Sequence, residues 1–143
     1  MGSAIHPSNS PVVLAFLGLV RDSMSELNHD EDKTSSGNER LAAAICKQHM
    51  ISTYITGLTD EWFGASRVAG DMGDLAEVES IFCERYKRFV ERNISIGHRV
   101  MAESPELDVN TATVARRSTE IAEKILAGAQ AISDVWHAPA PRM

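Results

Sequence analysis

A chain of 143 residues with 43% hydrophobic and 24% charged side chains suits one domain with a sizeable core and is too apolar to be disordered throughout. A net charge of −6 without a Lys/Arg-rich tail argues against nucleic-acid binding by phosphate neutralisation, and against simple electrostatic docking to an anionic membrane. The longest apolar run, Val12 to Val20, is far shorter than the ~20 residues a membrane-spanning helix needs, so no transmembrane segment is expected.

No Lys or Arg precedes that run, which makes it a poor signal peptide, and a cytoplasmic protein is expected. Residues 1–10 read as a flexible N-terminus. Ser10-Pro11 then reads as an N-cap with proline at the first helical position. The helix it opens places Val13, Leu17, Val20, Met24 and Leu27 at spacings of four and three. It is expected to fade in the polar, acidic linker of residues 28–38.

Ser36 with Glu39 forms a capping-box pattern for a second helix. Leu41, Ile45, Ile55, Leu58, Trp62, Ala65, Ala69 and Met72 lie close to one stripe of it, and Gly57 and Thr59 leave open whether it kinks or divides. The β-branched patch "ISTYIT" is the one competitor to helix here. "GDMGD" ends the element, with Gly73 suited to a left-handed C-terminal position. Asp74 and Glu77 form a second capping-box-like pair that starts a long helix, closed by Ser104-Pro105. Asp108 or Asn110 caps a final helix running to about Trp136, and residues 137–143 read as a flexible tail.

The long helix carries the strongest pattern. Leu75, Val78, Phe82, Tyr86, Phe89, Asn93, Ile96 and Val100 recur at a period near 3.5, which places them on one face. Ile81, Val90, Ile94 and Met101 widen the stripe along an edge, and at about 1.5 Å per residue the helix is roughly 45 Å long. The final helix repeats the seam with smaller residues: Val114, Ser118, Ile121, Ile125, Gly128 and Ile132, flanked by Ala115, Ala122, Ala129 and Trp136. These small residues suit close approach by Phe82 or Phe89, and the short "PELD" connection implies antiparallel packing. Asn93 within the stripe either fixes a pairing register or is solvated at a helix margin. The predicted fold is therefore all-α, an elongated bundle of about four amphipathic helices with coiled-coil-like packing.

No catalytic constellation is visible. His6, His29, His49, His98 and His137 are scattered and none has a second histidine at helical spacing, so no metal site is expected, and His98 reads as a packing or surface residue. From Asp32 a calcium loop would place Gly37 sixth, but Ala43 stands twelfth where a bidentate glutamate is required. GxGxxG, P-loop and GxSxG motifs are missing, and no cofactor is expected. Cys46 and Cys83 form no CxxC and read as reduced core residues.

The stretch Leu58 to Val100, "LTDEWFGASRVAGDMGDLAEVESIFCERYKRFVERNISIGHRV", resembles the phasins, small helical proteins that coat polyhydroxyalkanoate storage granules in bacteria. The similar features are a helix bearing Trp62, the Gly-Asp break from Asp71 to Asp74, the opening "DLAEVESIF", the aromatic and basic "ERYKRFVE", and an alanine-containing closing helix. The resemblance covers roughly residues 41–136, which makes 39–136 a phasin-like helical domain and 11–38 an additional N-terminal helix and acidic linker. It implies a non-enzymatic, granule-associated protein in the cytoplasm whose partner is the polyhydroxyalkanoate granule surface. Leu75, Val78, Phe82, Tyr86, Phe89, Ile96 and Val100 are then the candidate residues for contact with an apolar surface or within an oligomer. The 3.5-residue seam also supports a second reading, a homo-oligomerising or partner-docking helical module without polymer binding.

Overall fold

The computed structural model describes residues 6–33, 37–103 and 109–136. A 3-10 turn (Pro7–Asn9) leads into α1 (Pro11–Lys33). Next come α2 (Gly37–Met50), a π-helical segment (Ile51–Ile55) and α3 (Thr56–Ala69), followed by α4 (Leu75–Glu103) and α5 (Val109–Trp136). Met50 (φ −62°, ψ −42°) and Ile55 (φ −77°, ψ −45°) keep right-handed helical dihedrals on both sides of the π segment, so α2 and α3 form one uninterrupted helix. The chain is thus the all-α bundle expected from its sequence, four long helical spans packed on one another, with no strand among the described residues.

Two helix starts follow directly from side-chain oxygens. The Ser10 hydroxyl accepts a hydrogen bond from the Val13 N–H (3.3 Å), which makes it the N-cap of α1. The same hydroxyl donates to Glu79 Oε2 on α4 (2.6 Å), which brings a carboxylate to the positive end of the α1 dipole and ties the two helices together. At α4, Asp74 Oδ1 accepts from the Glu77 N–H (2.8 Å), and the first backbone bond runs from the Val78 N–H to the Asp74 carbonyl (3.1 Å).

Other boundaries differ from expectation. α1 continues through the acidic residues 28–33, because nothing between Asn28 and Lys33 is a proline or glycine that would stop it. The positive φ lies at Gly70 (φ 77°, ψ −177°) instead of Gly73. α3 ends at Ala69, where the Gly70 N–H still reaches the Ser66 carbonyl (3.0 Å), so the chain reverses there and Met72 is left in solvent. That backbone geometry is open to glycine and costly for other residues. The Ser36 and Asp108 caps, the "PELD" connection, residues 1–5 and the tail after Trp136 lie outside the described residues.

The core is an aromatic cluster with aliphatic layers on either side. Phe16 of α1 packs against Phe82 (ring centroids 5.3 Å apart) and Tyr86 (5.4 Å) of α4, and Trp62 of α3 meets Phe82 edge-on at 5.7 Å. Such pairs contribute about 0.5–1.5 kcal/mol beyond the burial of their area. Leu27, Met50, Val90, Ile121 and Ile125 are fully buried around them, so α1 is an integral part of the core. Small residues mediate the close contacts, but their partners differ from the expected ones. Gly128 of α5 receives Leu19 of α1, whereas Phe89 is received by Gly57 of α3, where an added Cβ would lie 2.7 Å from Phe89 Cε1.

A candidate apolar groove between two diverging helices

The second helical span changes neighbours along its length. Its first part, α2, packs on α1 and α5, while its last part, α3, packs on α4. The change falls at Ile51–Ile55, the β-branched patch that competed for strand in the sequence, where the helix widens to π geometry. Two contacts fix this pivot against α4. The Tyr86 hydroxyl donates to the Tyr54 backbone carbonyl (2.7 Å), and the Tyr54 ring meets Phe89 edge-on at 5.8 Å. Beyond the pivot α3 closes onto α4 at Gly57. Before it, α2 and the C-terminal half of α4 part company and leave a groove of about 330 Å³.

Ile45 and His49 of α2 form one wall, and Asn93, Ile96 and Val100 of α4 form the other. The floor comes from α5, chiefly Val114, Ala115, Ser118 and Thr119. Gly97 lets α5 come close, since a Cβ there would collide with Thr119 Oγ1. Tyr54 also lines the groove. The walls are exposed to a degree uncommon for large aliphatics in a bundle: Ile45 is 45% exposed, Ile96 53% and Val100 38%. Leu41, 52% exposed, stands one turn before Ile45 and extends the apolar edge of α2.

The seven candidate residues of α4 divide between two environments. Val78, Phe82 and Tyr86 are buried in the core, and Leu75 and Phe89 pack against it half-buried. Ile96 and Val100 face out at the groove. The buried line on α4 advances by fours, through Val78, Phe82, Tyr86, Val90 and on to the half-buried Ile94. Each step of four overshoots a full turn by about 40°, so this line winds from α3 toward α5 and leaves the 3.5-residue seam behind. Asn93 spends its amide on its own helix, donating to the Phe89 carbonyl (2.8 Å).

Leu41 and Ile45 were placed on the interior stripe by their spacing, yet α2 buries Ala42, Ala43, Cys46 and Met50 instead. The usable signal was the run Ala42, Cys46, Met50, Tyr54, Leu58, Trp62, all at intervals of four. Such a run either winds around an α-helix or is accommodated by a π turn. Tyr54, the most buried of the residues lining the groove, was not singled out in the sequence.

Other polar side chains pair within the bundle. Among the described residues no three His, Cys, Asp or Glu side chains gather to hold a metal ion. His98 Nε2 lies 3.2 Å from Glu123 Oε1 as an exposed pair between α4 and α5. Cys46 and Cys83 are free and buried; Cys46 Sγ sits 3.2 Å from Ser118 Oγ, and burial pushes the Cys83 thiol up to about 11, which leaves it unreactive. Buried Lys87 is held by Glu84 (2.8 Å) and by Gln130 Oε1 (3.4 Å) on α5. Burial likewise pushes the Tyr54 phenol up to about 12 and that of Tyr86 further, so both are neutral hydrogen-bond donors near neutral pH. No described helix is long and apolar enough to cross a membrane. No family model, curated protein or solved structure matches the chain.

Proposed function

We propose that the protein is a non-enzymatic, phasin-like coat protein of the cytoplasm that adsorbs to polyhydroxyalkanoate granules through apolar helix faces. The observation that carries the reading is the apolar edge of the groove. Leu41, Ile45, Ile96 and Val100 stand in solvent on neighbouring helices of a net acidic chain. Because these residues are about half exposed, transferring each onto a polymer contributes on the order of 1 kcal/mol without unfolding anything. The aromatic part of the stripe, Phe82 and Tyr86, would add to this only after the bundle opened. The net charge of −6 then faces water and keeps coated particles apart by repulsion.

The test is partition of the purified protein between buffer and polyhydroxybutyrate particles, with silica beads as control. Selective recovery on the polyester supports the reading, as does a several-fold loss with Ile96→Lys plus Val100→Lys at unchanged melting temperature. Equal recovery on silica and polyester contradicts it.

A second reading is favoured by the same edge. The Leu41–Ile45 ridge stands beside a groove, an arrangement by which two copies could each insert the ridge of one into the groove of the other. It makes the protein a homo-oligomerising or partner-docking module and predicts a mass that rises with concentration in light scattering, without polymer affinity.

A further inference from the structure

We infer that the groove is a docking site for an acidic amphipathic helix of a partner protein, with its apolar residues between Ile45, Ile96 and Val100 and its carboxylates against Arg92 and Arg99. The inference rests on the partner-docking reading and specifies the partner. Arg92 and Arg99 stand four residues before and three residues after Ile96, which puts them within about 60° of it around α4. Gly97, on the opposite side of Ile96, faces α5, so the two arginines form the outer rim of the groove. Both are exposed, and neither makes an ion pair or hydrogen bond among the described residues.

The local charge is opposite in sign to that of the chain. The whole sequence carries −6, yet no Asp or Glu lines the groove, and exposed His49 stands on the wall facing α4. Arg88 extends the basic rim by one turn and shares a shallow depression with Arg92, Ser95 and Glu91. Glu91 is the one carboxylate of that set, and it lies about 100° around α4 from Arg92, on the side away from Ile96. Elsewhere Arg85 is held by Glu61, Arg116 by Glu120 and Arg117 by Glu26. Carboxylates brought by a partner give Arg92 and Arg99 the counter-charge that those arginines find within the bundle.

Shape and length select a helix. From Arg88 to Arg99 the rim runs about 16 Å, or three turns. Leu41 and Ile45 stand one turn apart on α2, and Ile96 and Val100 stand one turn apart on α4. Facing ridges of this kind receive apolar residues spaced by three and four on one face of a helix. A second copy of this chain is a poorer occupant, because the stretch from Leu41 to Gln48 that carries its ridge holds no carboxylate to meet the arginines.

The test uses two synthetic helices of about 18 residues, with leucine at spacings of three and four and either glutamate or lysine at the other positions. Each is titrated into the full chain by fluorescence anisotropy, and backbone amide shifts are followed by NMR. Net charge alone favours the lysine probe. The groove should instead bind the glutamate probe at least about 5-fold more tightly, with shifts at Ile45, Gly97, Val100 and Thr119. Raising the salt should weaken that binding several-fold. Arg92→Glu plus Arg99→Glu should remove the preference at an unchanged melting temperature, while Arg67→Glu, at an exposed arginine of α3, should leave it within about 2-fold.

Tighter binding of the lysine probe at the same residues overturns the acidic assignment and keeps the partner-docking reading. Binding of neither probe removes both. A double variant that binds the glutamate probe like the parent, or a dimer of this chain that excludes the probe from the groove, also overturns the assignment. Glutamate-probe binding without adsorption to polyester particles leaves the docking site standing and removes the coat reading.

Discussion

The Tyr86 hydroxyl donates to the backbone carbonyl of Tyr54 at 2.7 Å, so a side chain of α4 supplies a donor inside the one stretch where the second helical span leaves α geometry. That bond fixes where the second helical span begins to pack on α4, and hence where the groove closes. Tyr86→Phe keeps the contacts with Phe16 and Phe82 but leaves the carbonyl without this donor. It should lower stability by about 1–2 kcal/mol in denaturant titrations, with little change in helical circular dichroism. A loss below a few tenths would mean that the bond does not hold the pivot.

Gly57 tests the other side of the same pivot. Alanine there gains up to about 1 kcal/mol in helix propensity, but its Cβ meets the Phe89 ring at 2.7 Å. The ring has little room to retreat because it packs on Tyr54 and Tyr86. Overpacking of about 1–3 kcal/mol should therefore win, for a net loss on the order of 1 kcal/mol. In a Phe89→Ala background the sign should reverse and Gly57→Ala should stabilise. A double-mutant cycle that comes out additive would contradict the contact.

Ser10 serves two helices at once. Ser10→Ala removes the cap of α1 and the donor to the buried Glu79 carboxylate, and should cost about 1–3 kcal/mol. Ser10→Asp also caps helices well but places a second carboxylate against Glu79, so it should be no better than alanine. Thermal melts of the two variants decide this.

Alkaline pH should unfold the protein through its tyrosines. Burial raises the folded-state pKa of Tyr54 from 10.0 to about 12 and that of Tyr86 further, so the unfolded chain releases these protons first. Their contribution is complete below pH 10 and is lost as pH rises through about 12. Each tyrosine adds a slope of up to about 1.4 kcal/mol per pH unit in that window. Tyrosinate absorbance and helical signal should change together, and tyrosine ionisation in a still-folded protein would contradict the burial.

What the sequence disclosed was local. Ser10 and Asp74 were legible as caps because a side-chain oxygen and the N–H three residues on suffice to define them. The stripe from Leu75 to Tyr86 was legible because it contacts one set of neighbours. Past Phe89 the helix changes neighbours, and a period measured along one chain holds no record of which helix lies opposite. For the same reason Leu41 and Ile45 looked interior, since their exposure depends on the divergence of α2 from α4. Gly73 was read as the left-handed position, but the turn falls at Gly70, where the Ser66 carbonyl finds its last partner.

The central claim is that the groove edge, with the bundle still closed, is what meets an apolar surface. Oxidative side-chain footprinting on polyhydroxybutyrate particles, compared with free protein, tests it most directly. Protection should appear at Leu41, Ile45, Ile96 and Val100, while Phe82 and Tyr86 stay as unreactive as in solution. Unchanged labelling at those four residues, or new reactivity at Phe82 and Tyr86, would contradict it.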